Sequence, residues 1–243
     1  MDDLNSLTDV SVIIPVYNEV DNVETLFHEV VAALPADRFI FEVIFVDDGS
    51  TDGTVARLHS LASKNSNLRL VCHKNNYGQS AAIVSGGRAA RYSMLATLDG
   101  DGQNDPADIP LLFDKRTDSN TVVLGNRRKR DDNLLRKISS RIGNGIRQRI
   151  LNDECPDTGC SLKLFPRDAF LSLPHFDHLH RFLPALFKRA GYNLVNVSVN
   201  HRPRWHGVSK YGVMNRLFVG IHDLIGVRWL LKRSCAPEII GNE

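Results

Sequence analysis

Apolar positions along the first hundred residues follow two rhythms that take turns. Val10-Ser11-Val12-Ile13-Ile14-Pro15-Val16 is a short run rich in β-branched residues and predicts a buried strand. Tyr17-Asn18-Glu19 follows as a turn. Asp21 then caps a helix whose apolar positions, Val23, Leu26, Phe27, Val30, Val31 and Leu34, fall three or four apart until Pro35 stops it. Residues 41–46 predict a second strand that ends in Asp47-Asp48-Gly49-Ser50, with a helix from Asp52 or Thr54 to about residue 63. A third strand is expected at Leu68–Cys72, a small-residue helix at 80–90, a fourth strand at 94–98 and an alternating strand at 194–200. Strands alternating with helices at this spacing predict βαβ units, hence an α/β fold with a Rossmann-like, mostly parallel sheet flanked by helices.

The polar residues gather at the strand ends: Tyr17, Glu19, Asp47, Asp48, Asp99 and Asp101. In a parallel sheet those ends share one edge, so positions far apart in sequence converge on one crevice. Leu98-Asp99-Gly100-Asp101-Gly102-Gln103 closes the fourth strand. In an extended segment residues i and i+2 project to one side, so Asp99, Asp101 and Gln103 can face one point. Two carboxylates and an amide oxygen suit a hard cation, Mg²⁺ or Mn²⁺, that shares its shell with substrate phosphates. The competing reading is a surface turn, because Asp, Gly and Asn are ordinary turn residues.

Composition narrows the field. With 243 residues the chain can form one sizeable domain and an appendage. A net charge of +2 gives no reason to expect a nucleic-acid partner. Cys72, Cys155, Cys160 and Cys235 are scattered, contain no C-x-x-C pair, and are read as reduced thiols of a cytosolic compartment. Met1-Asp2-Asp3 argues against a signal peptide, and no apolar run approaches the ~20 residues that span a bilayer. The chain has no G-x-G-x-x-G after its first strand and no G-x-x-x-x-G-K-[ST], which argues against a dinucleotide dehydrogenase and a P-loop NTPase.

Val12-Ile13-Ile14-Pro15-Val16-Tyr17-Asn18-Glu19, Asp47-Asp48-Gly49-Ser50-Thr51-Asp52-Gly53-Thr54 and Asp99-Gly100-Asp101-Gly102-Gln103 resemble the GT-A nucleotide-sugar glycosyltransferases of family 2. More narrowly, they resemble the branch of dolichyl-phosphate mannose synthases and polyprenyl-phosphate glycosyltransferases. Gly125-Asn126-Arg127, the stretch from Arg136 to Asn144, Asp157-Thr158-Gly159-Cys160, His201-Arg202-Pro203-Arg204 and Gly207-Val208-Ser209-Lys210-Tyr211-Gly212 extend the likeness over roughly residues 10 to 212. The resemblance implies a nucleotide pocket at Pro15, Tyr17, Glu19 and Asp48, with Asp47 orienting the loop. It implies a divalent metal held by Asp99, Asp101 and Gln103, and an acceptor phosphate held by Arg127, Arg136 and Ser140. Arg202, Arg204, Ser209 and Lys210 lie in a loop that closes over the bound substrates, Arg202 and Lys210 toward the donor diphosphate and Arg204 and Ser209 toward the acceptor. Asp157 is the candidate if a base is needed, with a turn residue as the alternative.

From Arg127 to Arg149 nine basic residues stand against Asp131 and Asp132, a local excess of +7. Leu135, Ile138, Ile142, Ile146 and Ile150 recur within it every three or four residues, which suits a basic amphipathic helix at an anionic membrane surface. Neither aromatic interleaving nor a known signature supports RNA binding there. Histidines 175, 178 and 180 form a loose group read as a polar loop rather than a metal site. Residues 216–233 are apolar but interrupted by charge, so they suit a helix lying in the membrane interface with Trp229 at headgroup level, or one packed on the core.

The resulting expectation is a GT-A domain over 1–212 and a C-terminal amphipathic extension over 213–243. Its activity would be inverting, metal-dependent transfer of a sugar from a GDP- or UDP-sugar to undecaprenyl or dolichyl phosphate, peripheral on the cytoplasmic face of a membrane. An integral-membrane partner protein is expected, and the product would feed lipopolysaccharide or other glycan assembly. The alternatives are a family 2 transferase acting on a saccharide hydroxyl and a non-catalytic nucleotide-sugar-binding module.

Overall fold

The computed structural model describes residues 7–127, 145, 147–203 and 213–233, and for 213–221 the backbone alone. Among the described residues seven strands form one sheet: β1 (Thr8–Val16), β2 (Phe39–Asp47), β3 (Leu68–Cys72), β4 (Met94–Thr97), β5 (Thr121–Arg127), β6 (Lys163–Pro166) and β7 (Asn193–Val199), in the order β3-β2-β1-β4-β6-β5-β7. Alternation along β1 sends its side chains to two cores. Val10, Val12, Ile14 and Val16 pack with α1 (Val23–Ala33) and α2 (Thr54–Ala62) on one face. Ile13 joins Ile44 and Val46 on the other face, under α3 (Gln79–Ala89), α5 (Arg167–Ser172) and α6 (Leu183–Arg189), with α4 (Ile109–Asp114) preceding β5. Both faces are covered, so the central strands read as nearly continuous apolar runs.

Strand ends lie a residue or two from those expected, for a physical reason. The parallel ladder between β1 and β2 pairs Thr8 with Phe39 and continues to Val16 with Asp47. Backbone hydrogen bonds set the ends there, and polar Thr8 and Asp47 belong to the strands. The short elements between 106 and 192 carry too few residues for a periodicity to show, and pairing with neighbours makes them strands or helices. Cys72, Cys155 and Cys160 are free thiols, the last two buried; Cys235 lies outside the described residues.

One strand runs against the rest, and it matters for the site. β6 pairs antiparallel with both β4 and β5, placing Lys163 opposite Thr97 and Leu124. Its first residue therefore arrives at the edge where β1, β2, β4, β5 and β7 end, so Asp47, Arg127 and Lys163 share an edge with the turns that carry Tyr17 and Asp99.

The last helix, α7 (Val213–Leu231), has two kinds of face. Val227 is buried with Leu224, Leu230 and Leu231 against the body of the protein, and Asp223 accepts a hydrogen bond from His178 at 2.9 Å. Ile225 and Trp229 are 64% and 61% exposed, on the face shared by Arg228 and Lys232. Packing on the core thus describes one face of this stretch. Among the described residues no helix is long and apolar enough to cross a membrane.

The basic stretch from 127 to 149 lies mostly outside the described residues, including Leu135, Ile138, Ile142 and Ile146. At its described end the expectation of outward-facing cations needs correction. Arg147 is 8% exposed, donates to the Cys155 carbonyl and faces Asp153, while Arg149 is exposed. Ile150 packs against the core.

Candidate active site

The turn after β2 is built by its own carboxylates. Asp47 Oδ2 accepts from the backbone N–H groups of Gly49 and Ser50, at 3.1 and 2.9 Å, so it orients the loop. Gly49 adopts φ +78°, and a side chain there would collide with the backbone of Asn75 and Asn76. Ser50 Oγ accepts from Asn18 N–H, Asn18 Oδ1 accepts from Thr51 N–H, and Thr54 Oγ1 accepts from Glu19 N–H. The Tyr17–Glu19 turn and the loop after β2 therefore brace each other. Pro15, Tyr17 and Glu19 are half-buried at this edge, and Glu19 Oε2 accepts from Asn22 Nδ2.

Asp48 departs from the expected pocket residue. Its carboxylate bonds to His73 Nδ1 at 2.7 Å and accepts from the N–H groups of Tyr77 and Gly78 at 2.9 and 2.7 Å. It is 5% exposed, so its structural work is to hold the loop that leads into α3.

Asp99 and Asp101 come together through a turn rather than an extended segment, because the β4 ladder ends at Thr97 and Gly102 takes φ +73°. Gly100 is forced by closeness: a Cβ there would lie 2.6 Å from Val16 and 2.9 Å from the Pro15 carbonyl. Asp99 Oδ1 accepts from Gln79 Nε2 at 2.7 Å, and Asp101 Oδ1 accepts from Gln103 N–H at 3.1 Å. Burial first, then the Asp101 charge, raise the Asp99 carboxyl above the usual carboxylate range; the Ser161 hydroxyl, Lys163 and Arg127 pull it back. Gln103 does not continue their phase. Its amide Nε2 points to the Arg202 carbonyl at 3.5 Å, in a short antiparallel contact where Arg202 N–H donates to Gln103 O and Asn104 bridges to His201.

Arg202 itself is a strut. Its guanidinium grips both oxygens of Glu29 at 2.9 Å and Asp105 at 2.5 Å, tying the turn after β4 to α1 rather than reaching toward a diphosphate. Arg136, Ser140, Arg204, Ser209 and Lys210 lie outside the described residues.

Arg127, the last residue of β5, forms a two-pronged pair with Asp157: Nε to Oδ2 and Nη2 to Oδ1, both 2.6 Å. Burial works against the Arg127 charge, and the hydrogen bonds and charge of Asp157 more than offset it, pushing the guanidinium further up. With both oxygens engaged by a guanidinium, Asp157 is poorly placed to accept a proton and well placed to aim Arg127. The two side chains are 11% and 8% exposed.

These groups meet at a cavity of about 270 Å³ whose wall includes Gln79, Asp99, Arg127, Thr158, Lys163 and His180. That volume is enough for one sugar ring, just below the usual small-molecule range of about 300–1,000 Å³. Tyr17, Glu19, Asp48 and Arg202 do not line it. Gln79 and Lys163 went unread in the sequence, although a lone lysine between Leu162 and Leu164 is a visible break in an apolar strand, and His180 was read only as part of a polar loop.

The three histidines go to separate partners: His175 to the Phe170 carbonyl, His178 to Asp223 and His180 to Ser80 Oγ. Among the described residues no group of three or more His, Cys, Asp or Glu could hold a metal ion. Burial, then the charges of Arg181, Lys163 and His178, push His180 down to about 3 from an ordinary 6.5. Below its ordinary value the unfolded chain binds a proton that the folded chain refuses. Stability is therefore predicted to fall as pH drops from 6.5 toward 3, and His180→Gln should flatten that part of a plot of unfolding free energy against pH from urea titrations.

A family model described as Glycosyl transferase family 2 matches residues 11–173. The chain is 35% identical over 234 residues to a dodecaprenyl-phosphate galacturonate synthase of Rhizobium johnstonii, covering 94% of this chain and 69% of the relative. It is 34% identical over 226 residues to an undecaprenyl-phosphate 4-deoxy-4-formamido-L-arabinose transferase of Edwardsiella ictaluri, covering 93% and 69%. Among solved structures, a mannosyltransferase of Pyrobaculum calidifontis in complex with GDP-Man and Mn²⁺ superposes with a TM-score of 0.65 at 20% identity, covering 96% of this chain and 66% of that one. The chain thus spans about two thirds of the length of each, and its fold is GT-A.

Proposed function

The chain belongs to glycosyl transferase family 2, and from that premise we propose that it moves one sugar from a nucleoside diphosphate to a polyprenyl phosphate, with inversion at the anomeric carbon. The observation that carries this reading is the cavity wall, which Asp99, close enough to Asp101 to feel its charge, shares with the guanidinium of Arg127. A place for a cation-bound donor diphosphate faces a fixed positive charge for an anionic acceptor. The two relatives named above, by their names, act on dodecaprenyl and undecaprenyl phosphates.

Asp99 and Asp101 fit a Mg²⁺ or Mn²⁺ ion of the kind held by one or two carboxylates together with substrate phosphates, since the Asp101 charge helps raise the buried Asp99 carboxyl and a cation would relieve it. Bound there, the ion would supply Lewis acidity toward the departing nucleoside diphosphate. Gln103, turned to the Arg202 carbonyl, supports the turn from outside. Pro15, Tyr17 and Glu19 form the edge of the nucleotide pocket, and Asp48 and Asp47 hold its loops.

The acceptor phosphate has a second pKa of about 6, so it arrives deprotonated near neutral pH. One of its oxygens attacks the anomeric carbon; the new C–O bond forms as the bond to the diphosphate oxygen breaks, and no proton has to be removed. Position and charge then supply the rate. Arg127 holds the acceptor oxygens, and Asp157 is a positioning residue for Arg127 rather than a base.

Residues 1–212 serve as the catalytic domain, and 213–243 as an extension that lies on the cytoplasmic face of a membrane, where an integral-membrane partner can dock. Ile225 and Trp229, exposed beside Arg228 and Lys232, suit the headgroup layer of an anionic bilayer. Ile225→Ser with Trp229→Ser is expected to lower sedimentation with phosphatidylglycerol vesicles about tenfold while leaving transfer to a soluble short-chain acceptor unchanged.

The direct test incubates the chain with radiolabelled UDP- and GDP-sugars, Mg²⁺ or Mn²⁺ and undecaprenyl phosphate. Label should enter the organic phase and stay out of it when EDTA is present. Label that reaches only a saccharide acceptor would replace this reading with the hydroxyl-acceptor one.

A further inference from the structure

Lys163 sits where strands seldom carry charge. It lies between Leu162 and Leu164 at the start of β6 and is 4% exposed. Its ammonium donates to two main-chain carbonyls, Thr158 at 3.4 Å and Cys160, and it forms no ion pair among the described residues. A buried ammonium satisfied only by carbonyls is poorly compensated for the water it has lost. It nonetheless lines the cavity beside Asp99, from which its charge is felt.

His180 adds a directed donor to the same wall. Ser80 Oγ accepts from the His180 backbone N–H at 3.3 Å and pairs with His180 Nδ1 at 2.8 Å, a contact in which either side can donate. A neutral imidazole that accepts at Nδ1 carries its hydrogen on Nε2. An ammonium and, with the serine as donor, an imidazole N–H in one polar cavity that Arg127 also lines make a pair of donors suited to oxyanions.

We propose that Lys163 and His180 form an anion-reading subsite that takes a carboxylate or phosphate oxyanion inside the cavity. The oxyanion comes either from the carboxylate of a uronic-acid donor or from the phosphate of the acceptor lipid. The assignment rests on the preceding reading, in which both substrates meet here. Lys163 thereby selects among substrates by charge, a role separate from the cation site at Asp99 and Asp101.

Binding without turnover tests it. Calorimetric titration of the full chain with Mg²⁺ compares UDP-glucuronate with UDP-glucose, GDP-mannuronate with GDP-mannose, and farnesyl phosphate with farnesol. The parent should favour the anionic member of at least one pair by about tenfold or more, the strength of a hydrogen bond to a charged group. Lys163→Met should bring that preference close to one, and Lys163→Arg should keep part of it. Loss in a sugar pair assigns the subsite to the donor carboxylate; loss in the farnesyl pair assigns it to the acceptor phosphate. Circular dichroism checks folding, and if Lys163→Met unfolds, His180→Gln, which leaves the ammonium in place, should lower the preference several-fold. A parent with no preference in any pair overturns the proposal, as does a folded Lys163→Met or His180→Gln that keeps the preference whole. Should the preference follow Lys163 while no donor labels lipid, the subsite stands and the transfer reading falls. Lipid labelling with binding indifferent to Lys163 is the reverse case.

Discussion

Asp99→Asn should cut sugar transfer by about two to three orders of magnitude and leave the metal-free protein as stable as the parent or more so. The two effects share one cause. Burial and the neighbouring Asp101 disfavour the ionised Asp99, so its carboxyl is raised and the folded state bears an electrostatic penalty at neutral pH. Asparagine removes the charge and still accepts from Gln79 Nε2, so the fold keeps its contact and loses the repulsion. The sign follows from the raised value: the penalty grows as pH rises through the ordinary carboxylate range, and it disappears in acid, where Asp99 is protonated in both states. Thermal melts in EDTA should show the variant at or above the parent above pH 5, while Mg²⁺ with nucleotide should raise the melting temperature of the parent alone. Transfer within a few-fold of the parent would remove Asp99 from the reaction.

Arg127→Met is expected to be damaging in both respects. It leaves Asp157 ionised at 8% side-chain exposure without its two-pronged partner, a loss of about 3–5 kcal/mol in chemical denaturation. The double variant Arg127→Met with Asp157→Leu should recover most of that stability, because the orphaned charge is gone, yet transfer should stay about a hundredfold or more below the parent. A base at Asp157 predicts something else. Asp157→Asn would then erase the acidic limb of the pH–rate profile, whereas a positioning residue lowers the rate and leaves the shape of the profile to the acceptor phosphate.

The sheet was legible because its central strands are buried on both faces. The runs at Val10–Val16 and Phe41–Val46 are apolar enough to be seen without knowing their partners, and the turn signals after them place the carboxylates at one edge. Lys163 stood out as a break between leucines, but its arrival at that edge was not legible, since a four-residue strand has no period and its direction reverses between β4 and β5. The roles of individual polar residues were legible only as far as their partners were local. Asp47 makes hydrogen bonds two and three residues ahead, which its sequence announces. Asp48 and Arg202 bond to residues 25 and 173 positions away, and those long-range partners turn an apparent ligand into a brace. Asp99 feels the charge of Asp101 through a glycine turn rather than through strand alternation, and Gln103 turns to the Arg202 carbonyl instead of continuing an extended phase.

Phosphorus NMR of the acceptor lipid during the reaction tests the central claim, that a phosphate oxygen is the nucleophile. With the right donor and Mg²⁺, the monoester resonance of polyprenyl phosphate should convert to that of a sugar-bearing diester at the rate at which nucleoside diphosphate appears. A monoester signal that stays constant while the donor is consumed and its sugar appears on a hydroxyl acceptor would contradict it.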